Sequence, residues 1–194
     1  IFMIPFDLIE ISLTFLHNIY YGNISKSYKN AKKLLFFNKF DINFHNHDAR
    51  AFIQCTNHTY NFIFLDAFTP SKCPALWTLE FFRELYHKLE DNGMILTYSN
   101  SAAIRNAFIQ NGFYVGKTYD KKSKKYIGTI ATKNPDMIEH QLNPKDIDLI
   151  KSKAGICFKD AHLNLNNEEI INNRNSEIEN SELASSSQVL KEYK

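Results

Sequence analysis

The stretch YNFIFLDAF, residues 60–68, constrains this chain more than any other. Its apolar residues are continuous rather than alternating. A strand of that kind suits burial on both faces, which occurs in parallel sheets covered by helices. The run ends on Asp66, and an acid directly after so apolar a strand sits at costly depth. The expectation is an α/β fold with Asp66 at the carboxyl end of a strand, where open α/β sheets bind their ligands.

The remaining pattern extends that reading. IFMI reads as a short strand, and residues 7–21 can form a helix with Leu8, Ile11, Phe15 and Ile19 on one side. Residues 25–37 make a second helical stretch with Ser25 as cap and Ala31, Leu34 and Leu35 as contacts. INFHNHDARAFI holds a strand followed by a turn or helix start. Residues 78–90 read as an amphipathic helix capped by Thr78, with Glu80 in its first turn and Asn92-Gly93 closing it. MILTY is the next strand, Ser101 opens a helix that Gly112 stops, and FYVGKTY and KKYIGTIAT are two strands around a lysine-rich turn. The alternation predicts a doubly wound, mostly parallel sheet with a final antiparallel pair. Beyond Pro135 the chain turns polar, so residues 1–135 are expected to form the α/β domain and 136–194 a helical extension. Within the extension, NNEEIINNRNSEIENSEL reads as a surface helix and SSSQVLKEYK as a loose tail.

With 194 residues there is enough chain for one domain and a short appendage. Three widely spaced cysteines, Cys55, Cys73 and Cys157, do not suggest a disulfide framework or a zinc site, and point to a reducing, cytoplasmic setting. The apolar first 21 residues are interrupted by Asp7 and Glu10 with no basic segment ahead, so neither a signal peptide nor a membrane partner is expected. From Asp160 onward there are three Lys/Arg and seven Asp/Glu. This leaves 20 basic and 14 acidic residues in 1–159, a net +6 that suits a polyanionic partner.

Asp7, Glu10, Asp48 and Asp66 all fall at or just past expected strand ends. Carboxylates placed there can accept hydrogen bonds from ribose hydroxyls and an exocyclic amine. The alternative for each is a helix cap or a solvated loop acid. No G-x-G-x-x-G occurs among the six glycines, and the chain begins with Ile1 rather than Met. Together these lead us to expect a first strand and glycine loop upstream of Ile1, and weak cofactor binding by these residues alone. His45 and His47 alternate on one strand without an evident third metal ligand, and no metal is expected. Cys73 lacks a base at recognisable spacing. Lys121, Lys122, Lys124 and Lys125 read as a solvated turn or as phosphate contacts. Trp77 reads as a packing residue or, at the mouth of a site, as a base-stacking one.

FLDAFTPSKCPALWT, from Phe64 to Thr78, resembles the signature of the bacterial tRNA 5-methylaminomethyl-2-thiouridine methyltransferases, close to F-L-D-x-F-x-P-x-K-N-P-x-L-W-T. TYSNSAAIRNAFIQNGFYVGK, KKYIGTIATKNP, KAGICFKDAHL and the helical tail ending SSSQVLKEY are similar to further family stretches in the same order. The resemblance covers roughly residues 43–194. Cys73 stands where the family has Asn, and the family's acid after the second strand falls near Phe6, beside Asp7 and Glu10.

The resemblance implies a Rossmann-like methyltransferase that moves a methyl group from S-adenosylmethionine (SAM) to the amine of 5-aminomethyl-2-thiouridine at the tRNA wobble position. It implies Asp66 as the catalytic acid, with Asp48, Asp7 and Glu10 toward SAM. Phe68, Pro70, Lys72, Trp77 and Arg105 would face the tRNA anticodon stem-loop. No flavin is expected, because the tail is too short for the oxidoreductase domain fused in some members. A separate flavin-dependent or aminomethylating enzyme would act upstream. The rival readings are a non-catalytic remnant of such an enzyme that has lost SAM binding, and a nucleotide-binding oxidoreductase in which the 64–78 signature would have no role.

Overall fold

The computed structural model describes residues 2–4 and 45–193. The expected helices over 7–21 and 25–37, and the acids Asp7 and Glu10, lie outside the described residues. Among the described residues five strands form one sheet: β1 (Phe2–Ile4), β2 (Tyr60–Phe64), β3 (Leu89–Thr97), β4 (Tyr114–Asp120) and β5 (Lys125–Thr132). Their order is β1-β2-β3-β5-β4. β2 and β3 are parallel, with Phe64 opposite Leu96, and β5 inserts antiparallel between β3 and β4. β2, β3 and β4 therefore run the same way and end at one edge of the sheet.

The α/β class and the final antiparallel pair agree with the expectation. The sheet itself is mixed, because β1 pairs antiparallel with β2 and β5 reverses between its neighbours. A continuous apolar run marks a strand as buried but carries no sign of its direction.

Helix α1 (Ala49–Cys55) is capped by Asp48, so the strand expected through His45 and His47 is absent there, and His45 instead lies against Phe52. Helix α2 (Leu79–Lys88) starts where expected, with the Thr78 hydroxyl accepting the Phe81 N–H. It buries Phe81, Phe82 and Leu85. Its end differs from expectation. Leu89 is already extended, and Asn92-Gly93 lies inside β3. Helix α3 (Ala102–Gln110) ends at Gly112, whose φ of 86° is open to glycine at little cost. Phe82 of α2 stacks on Phe108 of α3 with ring centroids 4.1 Å apart, which ties the two helices together over the sheet. Each such buried ring stabilises the fold by about 2–3 kcal/mol.

Three helices follow: α4 (Pro144–Ile150), α5 (Asn167–Asn180) and α6 (Ser186–Lys191). α5 occupies the expected surface helix. SSSQVLKEYK is not loose: Ser185 and Gln188 form a capping box, Val189 is buried, and the Tyr193 hydroxyl bonds Asp148. The capping box was readable as S-x-x-Q, but six helical residues do not stand alone and depend on the surface they dock to. The extension is also part of the core, since Cys157, Phe158, Leu163 and Ile170 pack with Trp77, Phe81 and Phe82.

Candidate active site

Asp66 comes two residues after the last residue of β2, and Leu65 is still paired to β3 through a bond from its N–H to the Leu96 carbonyl. The apolar strand thus carries the acid to the carboxyl edge and leaves it half-buried. Burial pushes its carboxyl above the usual carboxylate range. Tyr98, directly after β3, stands beside it. Burial, and after it the Asp66 charge, raise the Tyr98 phenol above its ordinary value.

Two aromatic donors fix the backbone that follows Asp66. The Tyr98 hydroxyl donates to the Ala67 carbonyl at 2.9 Å, and the Trp77 indole N–H donates to the Phe68 carbonyl at 2.8 Å. The two rings meet edge to face, 6.2 Å between centroids. Two successive carbonyls are therefore held from below, and the Phe68 side chain is left 78% exposed at the rim. The backbone then turns, with Lys72 N–H and Cys73 N–H both donating to the Thr69 carbonyl. Pro70 is half-buried and Lys72 exposed in this turn. The signature 64–78 and the TYS of residues 97–99 thus form one unit: an acid, its loop and the two rings that anchor it.

Trp77 is 0% exposed, so it cannot stack on a base. Its role here is to hold the loop. Arg105 does not reach the mouth either. It lies buried on α3, donating to Thr129 at 3.0 Å, Asp146 at 2.9 Å and Asn100 at 2.8 Å. Sequence places it in the helix that follows a strand end, but the charged residue that draws it inward, Asp146, is 41 positions away. Lys117 joins the same carboxylate at 3.0 Å.

Asp48 has a structural task. Its carboxylate caps α1 through the Arg50 N–H at 2.9 Å and pairs with the Arg50 guanidinium at 2.8 Å. The hydrogen bond from the Arg50 side chain holds it below the usual range. Arg50 in turn bonds the fully buried Asp160 at 2.9 Å, which also accepts the Asn164 and Leu165 N–H groups. The Asp48–Arg50–Asp160 chain pins the extension to α1. An Asp directly before an apolar helical stretch is an N-cap signal that was present in the sequence. Tyr98 lies in the TYS stretch that carries part of the family resemblance, but sequence reasoning gave it no role; its place beside Asp66 is seen only in the structure.

SAM needs a backbone that approaches closely and an acid for its ribose or adenine. Among the described residues Asp48 is committed to Arg50 and does not fit an adenine acceptor.

A sheet with a reversed strand inserted near one edge, helices packed on it and an acid at its carboxyl end define a Rossmann-like methyltransferase fold. MNMC2 from Aquifex aeolicus, in its crystal structure, shares that fold with a TM-score of 0.65 at 23% identity, over 79% of this chain and 52% of that one. The chain belongs to the S-adenosyl-L-methionine-dependent methyltransferases, whose family model matches residues 12–134. An uncharacterised protein of Methanocaldococcus jannaschii is 35% identical over 69% of this chain and 38% of its own length. The tRNA 5-methylaminomethyl-2-thiouridine biosynthesis bifunctional protein of Dichelobacter nodosus is 30% identical over 47% of this chain and 15% of its own length. The chain thus spans well under half the length of these two relatives. Among the described residues no helix is long and apolar enough to cross a membrane.

Proposed function

We propose that this chain carries the substrate-facing part of a tRNA methyltransferase that methylates the amine of 5-aminomethyl-2-thiouridine at the wobble position. The observation that carries the reading is Asp66, held at the carboxyl edge on an anchored loop with its carboxyl shifted upward by burial. The similarity to the tRNA 5-methylaminomethyl-2-thiouridine biosynthesis proteins of Dichelobacter nodosus and two other bacteria suggests the substrate class.

SAM supplies an electrophilic methyl group when bound. The residues of this chain prepare the amine. A free alkylamine is mostly protonated near neutral pH and then has no lone pair to attack with. The Asp66 carboxylate accepts a hydrogen bond from the ammonium, orients it and takes its proton. A carboxyl of raised pKa is the better base for that step. Trp77 and Tyr98 keep the Ala67 and Phe68 carbonyls fixed, so the carboxylate meets the amine without first ordering its own loop. Phe68 and Pro70 offer apolar contact to the extruded base, and Lys72 a phosphate contact.

The test is methyl transfer from labelled SAM to tRNA whose wobble uridine bears the free aminomethyl group. Label is expected in that nucleoside alone. Equal label in tRNA lacking the aminomethyl group would sink the substrate assignment. A second reading, a tRNA-binding remnant without SAM, is favoured by the engagement of Asp48 with Arg50. Calorimetry separates the two: a micromolar dissociation constant for SAM excludes the remnant.

A further inference from the structure

The β4–β5 hairpin is the most basic exposed feature among the described residues that the proposed site does not use. Its turn is well built. The Asp120 carboxylate accepts the Lys122 N–H at 3.0 Å and the Ser123 N–H at 3.1 Å, and Lys124 takes a φ of 56°. Lys121, Lys122, Lys124 and Lys125 are all exposed. Among the described residues no carboxylate lies within ion-pair distance of their ammonium groups. A folded turn that gathers four such cations concentrates positive potential at one point.

Aromatic rings stand directly below these lysines. Tyr119 and Tyr126 are cross-strand partners with ring centroids 5.3 Å apart, and His140 packs on both at 5.3 and 5.6 Å. Both tyrosines are exposed. The Lys117 ammonium sits 4.3 Å from the Tyr126 ring centre while paired with Asp146, so that ring is fixed on its inner side. Exposed rings held in place beside a run of cations are the two elements of a single-strand nucleic-acid surface.

The topology puts this surface on the same edge as Asp66. Thr97 of β3 pairs with Thr129 of β5, which pairs with Lys117 of β4, so the hairpin continues three residues past the level of Thr97. With strand spacings of about 4.8 Å and a rise of about 3.3 Å per residue, the tip lies about 14 Å across the sheet from β2 and about 7 Å beyond the level of Asp66. A few nucleotides of single strand bridge that gap.

We infer that the β4–β5 hairpin is an RNA-binding arm: its lysines hold phosphates and Tyr119 and Tyr126 stack bases flanking the nucleotide at Asp66. This rests on the proposed tRNA substrate and adds a second point of attachment to it. Two attachments on one edge fix the register of the strand, which a single pocket contact does not.

The test is fluorescence anisotropy of a labelled anticodon stem-loop RNA with the full chain over a series of salt concentrations. The triple variant Lys121→Gln, Lys122→Gln, Lys125→Gln should bind about tenfold more weakly at low salt. Its log–log salt slope should flatten by about 2, from about 0.7 per lost phosphate contact. The variant Tyr119→Ser should weaken binding with the slope unchanged, because stacking releases no counterions. The thermal midpoint of the triple variant should match the wild type, since the lysine side chains are exposed. Wild-type RNA binding with no change in the triple variant overturns the arm and leaves the substrate proposal standing. No RNA binding by the wild type overturns both. Lysine-dependent cosedimentation with vesicles of anionic phospholipid, without lysine-dependent RNA binding, assigns the surface to a membrane and likewise overturns the arm.

Discussion

Asp66 and Asp146 are both half-buried aspartates near the same sheet, yet their surroundings push them in opposite directions. At Asp66, burial raises the carboxyl. At Asp146, burial also pulls upward, but the hydrogen bond from Lys117, the Asn143 N–H and the Arg105 charge together outweigh it and hold the carboxyl low. Burial lowers the proton affinity of the Arg105 guanidinium, and Asp146 restores part of it. Arginine keeps its proton in proteins, so the pair stays ionic. One carboxylate is locked into the fold by two cations. The other sits where its protonation state can be used. The difference separates a charge that holds α3, α4 and the sheet together from the charge that we propose does the chemistry.

The sharpest way to break the comparison is to neutralise each side. Asp66→Asn keeps the shape but cannot accept a proton. Methyl transfer in single-turnover assays should fall by about 10²–10⁴-fold, the usual worth of a general base. Stability should not fall. A carboxylate of raised pKa costs the folded state free energy at pH values above its unfolded pKa, so the amide is neutral or stabilising at pH 7. Wild-type turnover by Asp66→Asn removes Asp66 from the proton transfer. In the wild type the activity should decline with acid at a pH above the ordinary carboxylate range, because the base is lost as pH falls through the raised pKa.

Arg105→Ala should act in the opposite way. It leaves Asp146 and Lys117 part-buried with one cation fewer, and should cost about 3 kcal/mol in urea unfolding. Asp146 has a lowered folded pKa, so its stabilisation is complete above its unfolded pKa and is lost as pH falls through the folded one. The gap between wild type and Arg105→Ala should therefore narrow in acid, below the ordinary carboxylate range. A gap that is constant down to strong acid means that Arg105 stabilises by packing alone.

The sequence showed the elements on both sides of this comparison but not their pairing. β2, α2, β3, α3 and the β4–β5 hairpin follow from apolar periodicity and caps, which are local. Asp66 was legible because its strand is so apolar that the following acid has a defined depth. Arg105 is drawn inward by Asp146, 41 positions along the chain, which its local pattern does not show, whereas Trp77 takes the packing alternative rather than the base-stacking one. The direction of β1, like the partner of Arg105, does not show in the local pattern. The C-terminal segment looked polar and loose, but Cys157, Phe158, Leu163 and Ile170 are enough to dock it. Asp160, which locks it to Arg50, looks in sequence like any surface acid.

The comparison can be sharpened at the loop itself. Tyr98→Phe removes only the hydrogen bond to the Ala67 carbonyl and keeps the ring against Trp77. One such bond is worth about 1 kcal/mol, so single-turnover methyl transfer should drop about fivefold, with the thermal midpoint nearly unchanged. A structural role alone would lower the midpoint and spare the rate. A positioning role lowers the rate in a pre-formed complex and spares the midpoint.

Lys72 carries the smallest expected effect and the cleanest sign. It is exposed on the Thr69–Cys73 turn, close in sequence to the anchored loop. Unlike Arg105 it has no ion pair among the described residues. If it meets one phosphate beside the target base, Lys72→Gln should weaken stem-loop binding a fewfold at low salt and flatten the log–log salt slope by about 0.7. The loss should shrink as salt rises, because displaced counterions are the source of the contact's free energy. Combining Lys72→Gln with Arg105→Ala tests the contrast between the two cations directly. The slope should be that of Lys72→Gln alone, while unfolding should be that of Arg105→Ala alone. A further flattening on adding Arg105→Ala would show that Arg105 reaches the RNA after all and that the clamp opens on binding.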